Sequence, residues 1–119
     1  MQIQQAQIDS LATGWFEQRM AKVIGDTIAG ARESVNSMAG RAFLQEQTAR
    51  AGRHGLLVEL DVARFVITAW LLGSDFDSRI PAFVEILGDP TLLPSQKSKA
   101  IELVTANLLT ELQAGALAP

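Results

Sequence analysis

The chain has 119 residues, 48% of them apolar and 19% charged, with ten basic against thirteen acidic side chains for a net charge of −3, one histidine and no cysteine. That length suits one ordinary domain, and the apolar fraction is that of a globular sequence rather than a disordered one. The acidic balance disfavours the phosphate-driven attraction behind nucleic-acid binding, and the lack of cysteine excludes both a disulfide framework and a thiolate zinc site.

The opening MQIQQAQIDS lacks the basic region and apolar run of a secretory signal. The longest uncharged stretch, Phe65 to Ser74, is about half of the roughly twenty residues a bilayer span requires. A cytoplasmic protein without a membrane span is the expectation. From there Ile8, Leu11, Ala12, Trp15, Phe16, Met20, Val23 and Ile24 recur at steps of three and four, which predicts an amphipathic helix from about Gln4 to at least Ile24. Gly25, Gly30 and Gly40 follow, each costing about 1 kcal/mol against alanine in a helix, so a break is expected between Gly25 and Gly40.

A second helix carries Ala42, Phe43, Gln47, Ala49, Arg50 and Ala51 and ends at about His54, with Gly55 as its left-handed stop. Arg53 and His54 place positive charge where it complements the carboxyl end of the helix dipole. The third helix runs from Glu59 to Gly73. On a helical wheel Val62, Phe65, Val66, Ala69 and Trp70 make one apolar face, Leu60, Ile67 and Leu71 nearly the opposite one, and Asp61, Arg64 and Thr68 a polar strip between them. A helix apolar on two sides must be covered on two sides, which places this one, near residues 59–73, at the centre of the fold and largely buried.

The polar link Ser74 to Ser78 leads into a short helix from Arg79 to Leu87, with Pro81 in its first turn and Asp77 or Ser78 as its cap. Gly88, Asp89 and Pro90 end it. A last helix starts near Pro94 or Ser95, lines up Ile101, Val104, Leu108 and Leu112 on one stripe, and stops at Gly115, leaving 116–119 as a frayed tail. No segment alternates with a period of two, so no sheet is expected. The predicted architecture is all-α: one compact domain over 1–119, a bundle of about five helices.

Residues able to carry chemistry are few. His54 is the only histidine, and its place at a helix end accounts for it without catalysis. Asp75 and Asp77 flank Phe76, but read as a calcium loop starting at Asp75 the segment has Ile80 where glycine is needed and Ile86 where the bidentate glutamate is needed. No phosphate-cradling glycine motif and no nucleophile elbow occurs. No enzyme activity, cofactor or metal is expected. For Asp75, Phe76, Asp77 and Arg79 the structural account is a cap, a core anchor and an Asp75–Arg79 ion pair; the functional account is contact with a protein partner, and these four are the candidate partner-binding residues. Arg41, Arg50 and Arg53 read as a solvated basic side of the second helix, and Trp15 and Trp70 as core residues.

The run from Ala51 to Ile86, AGRHGLLVELDVARFVITAWLLGSDFDSRIPAFVEI, continuing through LGDPTLLPSQKSKAIEL, resembles small helical accessory proteins encoded beside type VI secretion effector, spike and chaperone genes in Gram-negative bacteria. The RHGL stop, DVARFV, LGSDFD, ILGDP and the opening AQIDSL with WFEQRM carry the resemblance. It implies a non-enzymatic adaptor or co-chaperone that contacts a secreted effector, its chaperone or a spike component. Small size and acidic balance also fit an immunity protein that neutralises a cognate toxin.

Overall fold

A computed structural model describes the backbone of residues 5–117 and the side chains of residues 14–114. Its elements are α1 (Gln5–Thr27), α2 (Arg32–Asn36), α3 (Met38–Arg53), α4 (Glu59–Leu72), α5 (Phe76–Arg79), α6 (Pro81–Gly88) and α7 (Pro94–Leu117). The protein is all-α, with no strand among the described residues. Among the described residues, seven helices replace the expected five because two segments subdivide. The 25–40 region holds α2 between bends at 28–31 and Ser37, and the expected Arg79–Leu87 helix is α5 and α6, parted at Ile80 just before Pro81. A residue preceding proline is driven out of the α region, and Ile80 is accordingly extended, at φ −96° and ψ 115°.

The chain divides into two compact units, Met1–Glu46 and Gln47–Pro119. In the first, α1 runs unbroken through Gly25, and α2 packs on it closely enough that a Cβ at Gly25 would stand 3.3 Å from Arg32 Cα. Phe16, Met20, Ala21 and Ile24 are buried, as are Ala31, Val35 and Leu44. Trp15, expected in the core, is 60% exposed. It lies about 160° around the helix from the centre of that buried stripe, so a four-residue step from the side chains on either side does not bring it inward. Ile8, Leu11 and Ala12 lie outside the residues whose side chains are described.

Gly40 is where the first unit is tightest. A Cβ there would sit 2.1 Å from Ser34 O and 2.8 Å from Val35 Cα. Only glycine lets the first turn of α3 close against α2. Ser37 completes the corner as N-cap: its hydroxyl accepts from Gly40 N–H at 3.1 Å and donates to Ser34 O at 2.6 Å.

In the second unit α3 ends at the predicted stop. Gly55 has φ +82°, Leu56 N–H donates to Ala51 O and Gly55 N–H to Gly52 O, and Leu56 is fully buried. These paired bonds and the buried following residue make a Schellman motif, which turns the chain directly toward α4. α4 and α7 form the main pair. Asp61 meets Ser98 and Thr68 meets Thr105, each at a sequence separation of 37. A constant separation means the two helices run parallel, so the chain between them has to cross back, and α5 and α6 occupy that crossing. α7 continues through Gly115 to Leu117 instead of stopping there. One glycine costs about 1 kcal/mol and does not end a helix unless the backbone adopts the left-handed cap.

Candidate functional site

α4 leaves at Gly73, whose φ of +113° bends the chain sharply enough to start α5 three residues later. That bend turns Phe76 and Asp77 inward. Phe76 is fully buried and continues a chain of rings: His54 to Phe65 at 5.7 Å, Phe65 to Phe76 at 4.8 Å, and Phe76 to Phe83 edge-on at 5.1 Å. These spacings are those of favourable tilted and T-shaped aromatic pairs.

Asp77 is buried at the end of α3. Its Oδ2 accepts from Arg50 Nε at 2.7 Å and pairs with His54 Nε2 at 2.7 Å. Arg50 and His54 are one turn apart on α3, so a single carboxylate bridges both. Gln47, one turn earlier, donates through Nε2 to Ser74 O at 3.4 Å. Asp77 Oδ1 and Gln47 Oε1 are left buried without a hydrogen bond. Burial pushes the Asp77 carboxyl upward, but hydrogen bonds from Arg50 and His54, and then their charges, outweigh it and hold the group below the ordinary aspartate range.

Of the four candidate contact residues, then, Phe76 and Asp77 are interior, and only Asp75 and Arg79 face solvent. Those two bond each other, Arg79 Nε to Asp75 Oδ1 at 3.1 Å, while Arg79 Nη2 donates to Leu72 O at 2.8 Å and so satisfies a carbonyl at the end of α4. The segment works as a clamp between α3, α4 and α5. Neither Asp77 nor Ser78 caps α6: the carboxylate is engaged by α3, and Ser78 Oγ donates to Asp75 O. Arg50 is likewise a partner of Asp77 rather than part of a freely solvated basic side.

The surface that stands open is on the other flank of α4. The polar strip Asp61, Arg64, Thr68 faces α7 instead of water: Ser98 Oγ donates to Asp61 Oδ1 at 2.6 Å, Arg64 Nε pairs with Glu102 at 2.7 Å, and Thr68 and Thr105 hydroxyls bond at 3.0 Å. Asp61, Thr68, Ser98 and Thr105 are all buried. The neighbouring apolar strip is the exposed one, with Leu60 58% and Leu71 36% accessible. With Ile67 it forms one wall of a groove of about 400 Å³ whose other wall is Ala106 and Leu109 of α7. Hydroxyls and a carboxylate are inside, and leucines are outside. On α4, Val62, Phe65, Val66 and Ala69 are buried, whereas Leu60 and Leu71 are exposed.

No family model matches the chain, and neither curated proteins nor solved structures give a match. Among the described residues no group of three or more histidine, cysteine, aspartate or glutamate side chains is placed to hold a metal ion, and no helix is long and apolar enough to cross a membrane.

Sequence reading named Asp77 but missed its partners. The signal was available in part, since Arg50 and His54 at a spacing of four share a face. What it lacked was any indication that Gly73 would fold Asp77 back onto that face.

Proposed function

We propose that this protein is a non-enzymatic protein-contact module, a cytoplasmic adaptor or co-chaperone that holds a type VI secretion effector or its dedicated chaperone. The observation that carries a contact role is the groove between α4 and α7, where exposed Leu60 and Leu71 border a seam whose polar groups are already satisfied internally. An apolar groove whose polar neighbours are already paired is a surface on which a partner's helix can be laid. An amphipathic helix from the partner, laid in this groove, encloses α4 on its second flank as its two apolar faces demand. The type VI assignment draws on the DVARFV and LGSDFD runs, which the contact role does not need.

Leu60→Lys combined with Leu71→Lys is the test. Both positions are exposed, so the folded state is expected to change by no more than about 0.5 kcal/mol, while capture of the effector, its chaperone or a spike component from cells carrying the neighbouring genes is expected to be lost. If the unaltered protein captures none of these, the type VI reading falls. If capture survives both substitutions, the groove is not the contact surface. Protection of a toxin-expressing cell without any effect on secretion replaces the adaptor by an immunity protein.

A further inference from the structure

We draw no further inference here: the strongest candidate, the apolar groove between α4 and α7, belongs to the surface on which the proposed function already rests, and nothing in the structure shows what covers it beyond that reading.

Discussion

Replacing Asp77 by alanine removes the acceptor that Arg50 Nε and His54 Nε2 share at 2.7 Å. Breaking a fully buried ion pair costs about 3–5 kcal/mol, because the remaining charge stays uncompensated. Here the Arg50 and His54 side chains keep 26% and 30% of their accessibility, so water reaches them once the carboxylate is gone. The expected loss is therefore smaller, about 2–3 kcal/mol, with the melting temperature falling by roughly 10 °C for a chain of this size. Asp77→Asn keeps the shape and one acceptor but not the charge, and is expected to cost about 1–2 kcal/mol. Urea unfolding followed by far-ultraviolet circular dichroism measures both.

The pH dependence has a definite sign. The folded-state pKa of Asp77 is lowered, so the charged carboxylate contributes fully above the ordinary aspartate range, and that contribution disappears as pH falls through the lowered folded value. The gap between wild type and Asp77→Asn should accordingly narrow on acidification through that window. If Asp77→Ala unfolds within about 0.5 kcal/mol of wild type at neutral pH, the span usual for uninvolved surface sites, the clamp does not hold α5 to α3 and the reasoning fails.

Asp75 provides the contrast. Its ion pair with Arg79 has side chains 57% and 53% exposed, and exposed pairs contribute at most about 1 kcal/mol, so Asp75→Ala should leave the urea midpoint almost unmoved. Gly40→Ala puts a Cβ 2.1 Å from Ser34 O and should destabilise by at least about 2 kcal/mol, seen as a lowered melting temperature; near-neutral behaviour would mean that the α2–α3 corner relaxes freely. Thr68→Val alone leaves Thr105 still bonded to Ile101 O, and Thr105→Val alone leaves Thr68 buried without its partner, so the second single change should cost more, about 1–3 kcal/mol. The double variant is expected to recover part of that cost, and a cycle measured by denaturant unfolding that proves additive would remove the Thr68–Thr105 bond as a source of stability.

Much of the backbone was legible because its signals are local. Gly55 stops α3 with the left-handed conformation that a glycine after a helix signals, Gly73 ends α4, and Pro81 opens α6 at a permitted position. The failures have local causes too. Spacing alone places Trp15 inward, although spacing defines a stripe and not which side of it a neighbouring helix meets. Gly115 signals a terminus in the sequence, yet a glycine kept in helical conformation costs only about 1 kcal/mol and α7 continues through it. Of the four candidate contact residues, Phe76 and Asp77 are interior and Asp75 and Arg79 are exposed, a division that sequence alone does not reveal.

Sequence by itself determined that the chain is helical, where several helices begin and end, and that α4 carries two apolar faces, because these follow from periodicity and from the restricted torsions of glycine and proline. Only the tertiary structure decided which face of α4 is covered. The parallel register of α4 and α7 sets Asp61 against Ser98 and Thr68 against Thr105, giving the polar strip partners inside and leaving Leu60 and Leu71 at the surface. A single helix does not specify that choice, since buried polar groups are tolerable only when another element supplies their hydrogen bonds. The same holds for Asp77, whose partners stand 23 and 27 residues away and meet it only after the chain has turned at Gly73.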